Sequence, residues 1–205
     1  MEAWDNIAHQ IVLLAINPRT GKVRKRTDLA LAAAGGALAE LALQERVSLV
    51  KKKVEVNDPR PTEDPLLDTM LAVLERQGRR RPTRILNAAR GAYRDQALAE
   101  LVTHGWVQMS PATIGNRYEI LDHARYERIR SEATQALLHP DEVPARQACL
   151  GGLAAQLSLM KELAPELGLL ERGRVRRILE KRDWVVKAMH DVMAARQAAT
   201  AAAAS

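Results

Sequence analysis

The side chains best suited to chemistry in this chain are cations. Lys22–Arg26 reads KVRKR and runs straight into a long apolar stretch. Arg90 and Arg94 are four residues apart, hence on one face of a helix. Guanidinium and ammonium groups gathered in this way hold anions, phosphate above all, through charge-assisted hydrogen bonds. Other basic runs have plainer roles. Lys51, Lys52 and Lys53 suit a hairpin tip that keeps a sheet edge from pairing, and Arg79, Arg80 and Arg81 before Pro82 suit a solvated linker. Residues 171–182 carry Arg172, Arg174, Arg176, Arg177, Lys181 and Arg182. The net charge of +6 points to an anionic partner: nucleic acid, an acidic lipid surface or an acidic protein.

Enzymatic constellations are missing. His9, His104, His123, His139 and His190 show neither HExxH nor His-x-His spacing. There is no G-x-S-x-G, no Walker loop and no glycine fingerprint between strand and helix. The carboxylates sit mostly at helix starts or beside basic residues, where capping and ion pairing account for them. The single Cys149 excludes an internal disulfide and any zinc site built from several cysteines. The expectation is a protein that is not an enzyme and needs no cofactor or metal. Residues 1–20 have no basic start followed by a long apolar run, and no window reaches eighteen apolar residues. A reducing, cytoplasmic setting is expected.

Such cations need a scaffold. With 205 residues, 47% hydrophobic and only 3% aromatic, the core must be built from Leu, Ala and Val, which favours helices. The central element is Thr27–Val50. Between Asp28 and Glu40 it has no polar side chain, and Gly35-Gly36 falls near its middle. Eleven helical residues cover ~17 Å, too short to cross a bilayer, so this is a helix buried on all sides. Thr27 or Asp28 can cap it. A second glycine pair, Gly151-Gly152, lies in the other strongly apolar segment, Asp141–Leu163, expected to pack near the first, the two pairs allowing close contact.

The other elements fall into order around these two. Ile7–Ile16 is a helix and Asn17–Gly21 a turn. Val47–Val56 is a hairpin with a lysine tip. Asp64 and Pro65 start a helix that Gly78 ends. Residues 83–104 are helical with a break at Gly91, and a second hairpin spans Trp106–Leu121. Helices follow at Asp122–Leu138, at 171–182 and after Asp183, and the alanine-rich stretch from Ala194 reads as a fraying, disordered tail. The fold class is mainly α: a single domain over 1–205, a core helix bundle ringed by amphipathic helices, with two small β-hairpins.

Two binding functions fit. Helix 93–104, Gly105 and hairpin 106–121 have the order of a winged helix, and the runs at 79–84 and 172–182 suit phosphates of a nucleic acid. The other is a phosphate head group held beside a membrane. A protein adaptor without a lipid role is the third reading.

Several short pieces occur in one order: Val12-Leu13-Leu14-Ala15, then Thr20-Gly21-Lys22; Glu40-Leu41-Ala42-Leu43; Asp64-Pro65-Leu66-Leu67-Asp68; Leu101-Val102 with Gly105; and Asp183-Trp184-Val185. Across about residues 7–190 the chain resembles the Golgi phosphoprotein 3 family and its shorter bacterial relatives. The resemblance implies a single mainly helical domain that attaches to membranes through phosphatidylinositol 4-phosphate and, in eukaryotic members, grips cytoplasmic tails of Golgi glycosyltransferases. It also implies a head-group pocket made by a loop Trp, a core-helix Arg and two basic residues three apart. These fall here at about Lys25, Ala34, Gly91 and Arg94, so Arg94 alone matches, with Arg90 as substitute. Glu63 stands where the family usually has Gly. If the family fold holds, Arg24, Lys25, Arg26, Arg90 and Arg94 converge on one anion-binding face.

Overall fold

A computed structural model describes residues 5–24, 26–89, 91, 93–113 and 115–203. Helix α1, Ile7–Leu14, is buried at every residue and is capped by Asn6, whose side chain accepts from the His9 N–H at 3.0 Å. Helix α2, Arg26–Leu43, is the central rod. Leu29, Leu31, Ala33, Ala34, Leu38 and Leu41 are all fully buried. It starts ahead of the expected caps. Asp28 lies inside its first turn, where a carboxylate favours the positive end of the helix, and pairs with Arg196 at 3.4 Å.

Strands β1, Val47–Val50, and β2, Lys53–Val56, form the first hairpin, with Lys51 and Lys52 at its tip. Helix α3, Pro65–Gln77, begins as its sequence requires. Asp64 accepts from the Leu66 and Leu67 N–H groups, Pro65 takes the first helical position and Gly78 closes the end at φ 61°. Just before it, Glu63 has φ 43°, a left-handed conformation that a side chain makes costly. Glu63→Gly is therefore expected to stabilise the protein by about 0.5–1 kcal/mol, read as a rise in the midpoint of urea unfolding.

Helices α4, Pro82–Ala89, and α5, Tyr93–Thr103, flank the turn at Gly91. Strands β3, Val107–Pro111, and β4, Asn116–Ile120, form the second hairpin. Asp122 caps α6, His123–Leu138. Hydrogen bonds from the Arg125 backbone, then from its side chain, hold the Asp122 carboxyl below the usual carboxylate range.

The apolar segment 141–163 forms two helices. α7 is Ala145–Gln156 and α8 is Met160–Leu163, with Ser158 between them at φ 62°. The kink buries Leu157, Leu159 and Met160 together, which a continuous helix would spread around its circumference. Helices α9, Leu169–Arg182, and α10, Trp184–Ala203, complete the chain. The expected disordered tail is helix as far as Ala203, in keeping with alanine's helix propensity.

The glycine pairs do not meet each other. Helices α2 and α7 pack through Leu153, whose Cδ2 would lie 3.3 Å from a Cβ at Gly35. A Cβ on Gly36 would instead lie 2.7 Å from the Ala8 backbone nitrogen of α1. Gly151 faces Ala136 of α6 and Gly152 faces Val186 of α10. Each glycine admits a different neighbour, which is how one short rod can be surrounded on all sides. The buried apolar residues form one continuous cluster.

Candidate anion-binding surface

The loop ahead of α2 is a tight two-limbed turn. The Asn17 side chain accepts from the Arg19 and Thr20 N–H groups at 2.9 and 3.0 Å. Ile16 bridges Val23, and the Asn17 N–H donates to the Lys22 carbonyl at 3.0 Å. Gly21, at φ 64°, lies flat on β4, where the Tyr118 N–H donates to its carbonyl at 2.8 Å. A Cβ there would come within 3.1 Å of the Tyr118 backbone, so only glycine lets the turn seat on the second hairpin.

That contact sets the charges. Lys22 and Val23 line a hollow of about 750 Å³ with Ser110, Thr113, Asn116 and Arg117. Across Val23 and Asn116 it adjoins a smaller hollow of about 170 Å³ that Arg94, Asp95 and Tyr118 help to line. Three cations, Lys22, Arg94 and Arg117, thus line two adjoining hollows, whose lining includes the carboxylate of Asp95. Arg94 Nε and Nη2 hold Asp95 at 2.8 and 2.9 Å. Lys22 and Arg117 are exposed and have no carboxylate partner among the described residues.

The expected cations are divided by this geometry. Val23 faces the Arg94 hollow, whereas Arg24 pairs with Glu162 and lines a separate hollow of about 540 Å³ with Arg19, Glu127 and Arg130. Arg24 is therefore removed from the Arg94 face and largely neutralised. Arg26 opens α2. Lys25 and Arg90 lie outside the described residues, so only part of the expected Arg90–Arg94 helix face falls within them: α4 ends at Ala89 and α5 starts at Tyr93. Ala34, at the position of the family's core-helix Arg, is fully buried. Reasoning from sequence missed Lys22 as a site residue and Arg117 altogether. Lys22 carried a signal in KVRKR; Arg117 carried none, since its place depends on a contact between Gly21 and Tyr118.

Other polar clusters are built for structure. His9 is fully buried, with Nε2 2.7 Å from Glu100, and Asn6 donates to Asp64 at 2.5 Å. Burial pushes the Asp64 carboxyl above its ordinary value. The Cys149 thiol is pushed well up, first by burial and then by Asp183 and Glu40, which makes it a poor nucleophile. Among the described residues no group of three His, Cys, Asp or Glu is placed to hold a metal ion, and no helix is long and apolar enough to cross a membrane. The helix–glycine–hairpin order of a winged domain is present, but α5 turns Asp95 outward beside Arg94 and engages it, which gives a recognition helix poor complementarity to phosphates.

No curated protein matches the chain. Residues 7–196 match the family described as Golgi phosphoprotein 3 (GPP34). That span takes in every helix from α1 to most of α10 and both hairpins, and on it the chain belongs to the Golgi phosphoprotein 3 family.

Proposed function

We propose that this protein is a non-catalytic, peripheral membrane protein of the cytoplasmic side that binds anionic phosphate head groups, phosphatidylinositol 4-phosphate among them, on the surface formed by Lys22, Arg94 and Arg117. The observation that carries this reading is the seating of Gly21 on Tyr118, which brings the loop before the core helix beside the second hairpin and α5. Family membership supports the same reading. The arginine fork can take two phosphate oxygens at once, while Lys22 acts as a point charge. Arg94 would exchange Asp95, an exposed and weakly held partner, for phosphate. Each cation beside an anionic membrane contributes about 1 kcal/mol, so three give salt-sensitive attachment.

Co-sedimentation with vesicles tests it. Binding to phosphatidylcholine vesicles carrying phosphatidylinositol 4-phosphate is expected to exceed binding to phosphatidylcholine alone, and to weaken between low and physiological salt. Lys22→Ala with Arg117→Ala is expected to weaken it roughly thirtyfold at low salt. Equal binding to neutral and anionic vesicles would reject the reading.

One observation favours an additional adaptor role. A groove of about 380 Å³ between β2 and α3 combines Val56, Pro59, Pro61 and Leu71 with Asp68 and Glu75. Its apolar floor and two carboxylates suit an extended protein tail that is both basic and apolar.

A further inference from the structure

Leu169 and Leu170, at the start of α9, are 86% and 88% exposed, far more than any other large apolar residue described. Leu170 is followed at i+4, i+7 and i+11 by Arg174, Arg177 and Lys181, all exposed. At 3.6 residues per turn these four side chains fall within about 60° of arc, along roughly 17 Å of helix. Val175 and Leu179, which anchor α9 to the core, project from the opposite side. No carboxylate interrupts the stripe. Glu171 is turned back to accept the Gly168 N–H at 2.6 Å, and Glu180 bonds Gln156 at 3.0 Å and His190 at 3.1 Å. The Arg177 Nε bonds only the Gly173 carbonyl of its own helix, at 3.3 Å. Arg172 and Arg176 are drawn off the stripe to the Pro165 and Ala155 carbonyls. The helix is held at its far end by Arg182, which donates to the Pro140 and Val143 carbonyls.

We infer that the outward face of α9 is a second membrane contact, separate from the Lys22–Arg117 surface. Leu169 and Leu170 enter the lipid at the head-group boundary, and Arg174, Arg177 and Lys181 lie on anionic head groups. An apolar tip continuous with a purely cationic stripe is the pattern that lies in a membrane interface. The arginine and lysine stems cover apolar surface while their charges reach phosphate. Nucleic acid fits less well, because a phosphodiester backbone offers nothing to two leucines and the stripe has no aromatic side chain on which bases could stack. A second copy of the chain fits less well too: two leucines fall far short of the roughly 800 Å² per partner that a stable interface buries, and the rest of the face would set like charges together.

The test uses the full chain and vesicles of phosphatidylcholine with phosphatidylglycerol, which carry negative charge but no phosphomonoester. A Leu170→Cys variant labelled with an environment-sensitive fluorophore reports insertion, since Cys149 is buried and does not compete for label. A blue shift is expected on these vesicles and none on pure phosphatidylcholine. Leu169→Ser with Leu170→Ser, and separately Arg174→Gln, Arg177→Gln and Lys181→Gln together, should each lower partitioning by at least about tenfold with unchanged circular dichroism. The fluorescence shift should persist when Lys22→Ala and Arg117→Ala are added to the labelled variant, which separates this contact from the head-group surface. An unshifted probe, native partitioning of the leucine variant, or a shift lost with the Lys22 and Arg117 changes would each overturn the inference. So would retardation of duplex DNA that the arginine variant loses and the leucine variant keeps, the result expected of a nucleic-acid surface.

Discussion

Arg146→Ala is expected to lower the free energy of unfolding by about 3–5 kcal/mol. Its partner, Glu40, is the one carboxylate in the buried length of α2 and is 2% exposed. Arg146 Nη1 lies 2.6 Å from both of its carboxylate oxygens, and the Ile7 N–H donates to Oε2 at 3.1 Å. Arg146 also donates to the Asp5 backbone carbonyl. One guanidinium therefore ties α7 to α2 and to the start of α1. Removing it leaves a buried carboxylate with only the Ile7 N–H and, at 3.5 Å, the Gln44 side-chain amide as donors, and the cost is the desolvation of that charge rather than the modest net value of the pair. Urea unfolding measures the loss. Replacing both partners, Glu40→Leu with Arg146→Leu, should cost clearly less than the single change, because no charge is then left buried. A single variant that loses under about 1 kcal/mol would show that Glu40 has another route to water.

Gly36→Ala is expected to cost about 3 kcal/mol or more, although alanine is the better helix former by about 1 kcal/mol. The added Cβ would stand 2.7 Å from the Ala8 nitrogen, 2.8 Å from its Cα and 2.9 Å from the Ile7 carbonyl carbon. These are backbone atoms, so no rotamer change relieves the clash. Helix α1 has little freedom to retreat, since Ile7 is bonded to Glu40 and Asn6 to Asp64. Gly173→Ala is the control: nothing lies within 4 Å of its added Cβ, so a gain of about 0.5–1 kcal/mol is expected. Thermal and urea midpoints of the two variants should move in opposite directions. Equal gains would mean that α1 and α2 are not in backbone contact.

What the sequence made legible follows the range of the interactions involved. Asp64, Pro65 and Gly78 mark both ends of α3 because caps act within four residues. The absence of polar groups from Leu29 to Ala39 announces a buried rod for the same local reason. The break at Leu157–Leu159 was hidden: it lies within leucines and serine, without the Gly, Pro or Asn that usually marks a turn, and is imposed by the demand that three large side chains face one core. The glycine pairs showed that backbones approach closely but not which backbones, since that depends on how the helices pack around one another. The candidate site was legible to the same limited degree. Arg94 could be named from its chain position, but Lys22 and Arg117 meet only because Gly21 lies on Tyr118, across almost a hundred residues. The direction of Arg24 was equally hidden, because its partner, Glu162, lies 138 residues further along the chain.

The central claim is that the loop ahead of α2, the second hairpin and the start of α5 form one phosphate-binding surface. It is tested most directly by titrating the ¹⁵N-labelled protein with the soluble head group, inositol 4-phosphate, and following backbone amide shifts. The account predicts saturable shifts of one common affinity at Lys22–Val23, Asn116–Tyr118 and Arg94–Asp95, lost together in the Lys22→Ala, Arg117→Ala variant. Shifts confined to Arg19 and Arg130, on the far side of the loop, or no saturable shift at any of these amides, would contradict it.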